Sequence, residues 1–185
     1  PQSGNGAKKA AFTEISFGGK VPPRCDIPVE YTWDLSALQP SDEAWEESFR
    51  RAGEEMQQLA SYNGKLFDSP ETLLEFLRLE EKASERMGKL YAYATMKSHE
   101  NTSEALYQGM AVRAGMLYSS FGAVCSFVSP EVLAAGEEKV RDFIARCAEF
   151  PLYRHFFDDL LRSQDHVLSH REEELLSRSA EMAST

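Results

Sequence analysis

Between residues 40 and 185 the chain uses proline four times, at Pro40, Pro70, Pro130 and Pro151. Each stands at the start of a run in which apolar residues recur every three or four positions. Proline lacks an amide donor and fixes φ, so it suits the first turn of a helix and breaks its interior. A chain punctuated in this way is constrained to stacked helices. The expected class is all-α: an antiparallel array of about six helices with short connections, preceded by an extended N-terminal arm. No strand-type alternation is present beyond that arm. The helix–loop–helix pattern keeps no fixed period, which argues against a solenoid.

Helix one is read from a Ser41 cap, with Asp42 and Glu43 at the positive end of its dipole. Trp45, Phe49, Ala52, Met56 and Leu59 form its stripe, and Asn63-Gly64 stops it. Helix two opens on Ser69-Pro70 and runs to about Ser98, with Leu73, Leu74, Leu77, Ala83, Met87, Leu90, Tyr91 and Ala94 as its apolar face. Its end, Leu90 to Met96, is apolar or aromatic nearly all round, which calls for deep burial or a second partner. Helix three is placed from Asn101-Thr102 to about Val128. It carries two apolar stripes, Leu106, Met110, Leu117, Phe121, Val124, Val128 and Tyr107, Ala111, Ala114, Tyr118, Gly122, Cys125, so it is expected between neighbours. Ala111, Ala114, Gly115 and Gly122 allow another backbone to come close.

Ser129-Pro130-Glu131 reads as another cap-then-proline start, and Val140, Phe143, Ile144 and Cys147 mark a short helix. Pro151 opens a further one, with Leu152, Phe156, Phe157, Leu160 and Leu161 turned inward. Ser169 and Glu172 form a capping box for the last helix. That helix is still amphipathic at Thr185, after Leu175, Leu176 and Met182, so the chain reads as cut rather than finished.

The net charge is −10, and the excess of carboxylates lies entirely beyond residue 26. Residues 1–26 carry Lys8, Lys9, Lys20 and Arg24 against Glu14 and Asp26. Pro22-Pro23 and Pro28 keep this stretch out of a helix. The expected division is therefore an arm over 1–26 and a helical domain over 27–185. Nucleic-acid phosphates demand clustered Lys and Arg, and an anionic membrane surface does too, so both partners are disfavoured. No run of about 18 apolar residues is read as a spanning helix, and no signal peptide opens the chain, so the cytoplasm is the expected compartment. Cys25, Cys125 and Cys147 are odd in number and widely spaced, which offers neither a disulfide framework nor a Cys-x-x-Cys site.

Candidate chemistry is thin. His166 and His170 have the i, i+4 spacing of zinc ligands, but Ser169 between them reads as a cap, and no Glu follows the first His. Glu54-Glu55, Glu80-Glu81, Glu137-Glu138 and Glu172-Glu173-Glu174 are adjacent carboxylates. Neighbours on a helix point about 100° apart, so these read as solvated surface. No His has a Glu three residues before it, which removes a di-iron bundle. Cys125 and Cys147 read as core, because free cysteine packs like a small hydrophobe. Cys25 beside Arg24 is a weak candidate thiol nucleophile with no His partner placed by sequence. His155 reads as a surface or packing residue, and His99 as a helix-end residue facing the last carbonyls or water.

Several segments resemble a known family when taken in order. They are Trp33-Asp34-Leu35, Leu90-Tyr91-Ala92-Tyr93-Ala94, Phe127 through Pro130-Glu131, Tyr153-Arg154-His155 and Leu160-Leu161-Arg162. His166-Val167-Leu168-Ser169 leading into Glu172-Glu173-Glu174-Leu175-Leu176 completes the set. Their order and spacing are similar to the N-terminal region of oligoendopeptidase F, a zinc peptidase of the thimet-oligopeptidase-like superfamily, over about residues 27–182. The resemblance implies a role in metal-assisted peptide hydrolysis. The family's His-Glu-x-x-His and its later Glu ligand have no counterpart here. It therefore implies no catalytic, cofactor-binding or metal residue in this chain, with zinc in a catalytic domain that the chain lacks. Its partners would be that catalytic domain and short peptides, and its helices would form part of the wall of the substrate cavity. The rival expectation is a stand-alone helical module that binds a peptide or protein at Tyr91 and Tyr93.

Overall fold

The computed structural model describes residues 26–146, 149–163 and 170–183. The N-terminal arm before residue 26, Cys25, Cys147, His166 and the Ser169 end of the capping box lie outside the described residues. The chain divides into two units, Pro1–Asp34 and Leu35–Thr185. In the first, a short 3-10 turn spans Val29–Tyr31, and the Thr32 hydroxyl donates to the Val29 carbonyl at 2.7 Å.

The second unit is all-α. Its helices are α1 (Asp42–Ala60), α2 (Pro70–Glu100), α3 (Ala105–Cys125), α4 (Val128–Ala135), α5 (Glu137–Arg146), α6 (Arg154–Arg162) and α7 (His170–Ala183). The caps on α1 and α2 are as the sequence requires. Ser41 Oγ accepts from the Ala44 amide and Ser69 Oγ from the Thr72 amide, with Pro70 opening α2. Gly64, at φ 79°, takes the left-handed turn after α1.

Cross-helix contacts fix the directions. Trp45 Nε1, near the start of α1, donates to the Leu90 carbonyl late in α2, whereas Glu55 near the end of α1 meets Arg86. These helices therefore run antiparallel. Tyr91 meets Tyr118 and Lys97 lies over the Tyr107 ring, so α2 also runs opposite to α3. The core between them holds Trp45, Leu59, Phe76, Met87, Leu90 and Phe127, all fully buried or nearly so. Each such side chain contributes about 1.5–3 kcal/mol of burial. α7 packs on α3, while α4, α5 and α6 form a second layer around Val132, Val140, Phe150 and Phe157.

Four expectations need correction. Helix three starts at Ala105, not at Asn101, because the Asn101 side chain instead accepts from the Ser103 amide in a turn of its own. Ser129 does not cap α4: that helix begins at Val128, with Pro130 in its first turn and no side-chain cap. Gly136, at φ 82°, then separates α4 from α5. Leu152 is 81% exposed and Phe156 44% exposed rather than inward. Pro151 is the second residue of a 3-10 segment, Phe150–Tyr153, whose three-residue turn sets a different rotation from the α-helix that follows. Finally, Ala105–Ala135 is long and apolar enough, by length and composition, to cross a membrane, and 17% of its most apolar window is buried. The interspersed Gly and Ser hide this from a search for unbroken apolar runs.

Candidate functional site

Among the described residues a concavity lies where the end of α1, the second half of α3 and α7 approach one another. It has a volume of about 590 Å³ and is lined by Asn63, Ser119, Ser120, Val124, Glu174 and Arg178. That volume falls within the range of small-ligand sites. Its lining is polar but carries little unbalanced charge, because Arg178 Nη2 pairs with Glu174 Oε1 at 2.8 Å on the same helix. A second groove of about 470 Å³ runs between α5 and α6 past Glu137, Arg141, Arg154 and Asp158. Arg141 there is shared between Glu137 at 2.7 Å and Asp158 at 3.6 Å. Among the described residues no group of three or more His, Cys, Asp or Glu could hold a metal ion. Among these residues the zinc implied by the resemblance finds no fitting donor set.

Three polar networks tie the first three helices together. Asp42, in the first turn of α1, accepts from the Tyr93 hydroxyl of α2 at 2.7 Å and from the Tyr107 hydroxyl of α3 at 3.2 Å. Burial first, and the Asp42 carboxylate second, push the Tyr93 and Tyr107 phenols above their ordinary range. Lys97 lies over both rings, 5.7 and 5.3 Å from their centroids. Arg113 of α3 forks onto Glu46 at 2.6 and 2.7 Å and covers the Trp45 and Phe49 rings at 5.0 and 4.5 Å. That hydrogen bond holds the Glu46 carboxyl below its ordinary value. Glu55 of α1 takes two bonds from Arg86 of α2, at 2.9 and 3.2 Å, with Lys82 at 3.6 Å. A fourth carboxylate, Glu131 of α4, accepts from the Gly64 amide and from the Leu66 amide at 3.2 Å, holding the turn after α1.

The sequence-derived candidates scatter. His155 is 87% exposed on α6, with Nδ1 3.4 Å from an Asp159 oxygen, and Asp159 also meets Arg162. His99 sits in the last turn of α2, and His170 is the first residue of α7. Glu54, Glu137 and Glu174 are surface carboxylates paired with Arg50, Arg141 and Arg178 along their own helices. Two carboxylates depart from the solvated reading. Glu55 is buried in the pair with Arg86, and Glu80 is only partly exposed, its carboxyl raised above the ordinary value by burial and then by Glu81. Cys125 is partly buried, and burial followed by Glu80 pushes its thiol up to about 12, far from a nucleophile's range. The buried pair carries a legible signal. Glu55 stands three residues after buried Ala52 and four before buried Leu59, and Arg86 stands likewise between Ala83 and Leu90. Tyr93 is 3% exposed and bound to Asp42, so only Tyr91, at 47%, is open at the aromatic end of α2.

Comparison with known proteins bears on what this helical array belongs to. The family described as oligopeptidase F matches at residues 131–185. Oligopeptidase PepF of Bacillus subtilis (strain 168) is 38% identical over 171 residues, which are 92% of this chain and 26% of that protein. Group B oligopeptidase PepB of Streptococcus agalactiae is 35% identical over 159 residues, 86% of this chain and 26% of that protein. The crystal structure of oligoendopeptidase-F from Enterococcus faecium superimposes with a TM-score of 0.69 at 25% identity, covering 77% of this chain and 28% of that one.

The chain matches the N-terminal part of oligoendopeptidase F.

It spans about a quarter of the length of the curated oligopeptidases it matches.

Proposed function

We propose that this chain is the non-catalytic N-terminal domain of an oligoendopeptidase F-like zinc metalloendopeptidase that hydrolyses short peptides, and that its helices form part of the wall of the substrate cavity. The observation that carries this reading is the 38% identity over 92% of the chain to a protein of which it covers 26%. The zinc, its ligands and the general base belong to the rest of that enzyme, where metal-assisted hydrolysis needs a His-Glu-x-x-His helix. This chain's part is mechanical. Ion pairs and phenol–carboxylate bonds lock α1, α2 and α3 into a rigid wall, and rigid walls are what restrict a cavity to short, extended substrates. The cleft of Asn63, Ser119 and Ser120 is the concave surface best suited to face a peptide backbone, because its side chains offer both donors and acceptors. An acidic chain with three scattered cysteines suits the cytoplasm.

The test is hydrolysis of a fluorogenic oligopeptide by the full-length enzyme and by this chain alone. The full-length enzyme is expected to cleave it and to lose activity to a chelator, and this chain alone is expected to leave it intact. Chelator-sensitive cleavage by the isolated chain would overturn the reading.

A further inference from the structure

α3 has one charged residue in 21, Arg113, and the fold itself consumes it against Glu46, Trp45 and Phe49. Met110, Ala114 and Leu117 fill the core from one side of this helix. The opposite side holds Val112 and Met116, one turn apart, 63% and 53% exposed, flanked by Leu106 and Tyr118 at 55% and 56%. From Ala105 to Ser119 the strip runs roughly 20 Å at 1.5 Å per residue. It carries no charge on a chain whose net charge is −10. A helix side meant for water ordinarily bears charged and polar residues, and a contiguous apolar surface marks an interaction. Gly109, Gly115 and Gly122 lie in the same helix, although glycine weakens a helix relative to alanine. A Cβ built at any of the three meets nothing within 4 Å, so the packing of this chain does not require them. They leave room for a backbone that the chain does not supply.

The proteins that share this sequence are about four times as long, the chain covering 26% of each, and the Enterococcus faecium structure contains the same fold as 28% of a longer chain. We infer that the outward strip of α3, centred on Val112 and Met116, is the seat on which the remaining oligoendopeptidase polypeptide packs an uncharged apolar surface. The inference rests on the reading of the chain as an N-terminal domain and names which side of it faces the rest of the enzyme. A partner in the same polypeptide is held at high effective concentration, so a strip of this size suffices for docking. Lipid is the rival occupant on composition alone. However, α3 packs against α1, α2 and α7, and the chain's net charge of −10 opposes an anionic bilayer.

Single-cysteine variants Val112→Cys and Met116→Cys, with Cys25, Cys125 and Cys147 changed to serine, test the seat by maleimide labelling in this chain and in the full-length enzyme. Labelling is expected to be at least tenfold slower in the full-length enzyme, while a Glu138→Cys control on α5 labels at the same rate in both. Equal rates at Val112→Cys and Met116→Cys in the two proteins would overturn the inference. So would slow, dilution-sensitive labelling in this chain alone, which indicates a second copy, or partition of the chain into phosphatidylcholine vesicles, which indicates lipid. As a second measurement, Gly109→Ala with Gly115→Ala should raise the Tm of this chain and lower that of the full-length enzyme; a rise in both speaks against the seat. Peptide hydrolysis is assayed separately on the same full-length preparation. An inactive preparation with the labelling contrast intact removes the peptidase reading and leaves the seat standing.

Discussion

Replacing Glu55 by leucine keeps the volume of the side chain and removes both acceptors from Arg86. In the native fold the Glu55 side chain is 10% exposed and that of Arg86 21% exposed, and two N–H···O bonds of 2.9 and 3.2 Å join them. Lys82, at 64% exposure, can turn to water when its carboxylate is lost, so its share of the cost is small. Arg86 cannot do so fully, because it stands between buried Ala83 and Leu90 on α2. Breaking a buried pair from one side costs about 3–5 kcal/mol, and the residual exposure of Arg86 places this case near about 3 kcal/mol. In a domain of this size that corresponds to a fall in Tm of about 6–12 °C. Urea denaturation of Glu55→Leu, Arg86→Met and the double variant completes a double-mutant cycle. The double variant should recover to within about 1 kcal/mol of the native chain, because two apolar side chains of similar volume then meet across α1 and α2. A single variant that loses less than about 0.5 kcal/mol, or a double as unstable as the single, would refute the argument that an uncompensated charge sets the cost.

Three further outcomes follow from the same structure. Tyr93→Phe removes the 2.7 Å bond to Asp42 and should lower stability by about 1.5–3 kcal/mol in urea denaturation, with Tyr107→Phe, at 3.2 Å, costing less. Glu80 has its carboxyl raised by burial, so the fold resists its charge: Glu80→Gln should raise Tm at pH 7, and that gain should vanish as pH falls below the ordinary carboxyl value. Equal gains at pH 7 and pH 3.5 would contradict the burial argument. Cys125, its thiol pushed from 9.0 up to about 12, stays protonated at pH 8 and should react with a disulfide reagent only on unfolding. Its contribution to stability is fully present below the unfolded thiol's pKa and is lost as pH rises from about 9 towards 12, a decline that Cys125→Ala should flatten.

The helices were legible because a period of three and four records which side is buried. Trp45, Ala52 and Leu59 on α1 and Leu73, Leu77, Met87 and Leu90 on α2 were placed inward by spacing alone, and all are buried. Ser41 and Ser69 announced their helices because a free amide at the first turn needs a local acceptor. The same logic misplaced the start of α3, since Asn101 had two local uses and the chain took the turn. Gly136 leaves no mark on the periodicity, because a single left-handed residue between Ala135 and Glu137 leaves the period on either side unchanged. The ordered set of short segments was sufficient to point to the N-terminal part of oligoendopeptidase F.

Partnership was the part that spacing could not supply. Glu54 and Glu55 are neighbours of the same type, yet Glu54 pairs along its own helix and Glu55 is buried against α2. Both apolar stripes of α3 were read correctly as stripes, but Met110 and Leu117 found neighbours while Leu106 and Tyr118 stayed exposed. The sequence by itself determined the helices, their caps and their apolar sides, because these depend on residues within two turns of one another. Only the tertiary structure decided which carboxylate is buried, which aromatic hydroxyl meets Asp42 and which side of α3 is left uncovered, because each depends on what a helix 30 to 70 residues away brings to the same place.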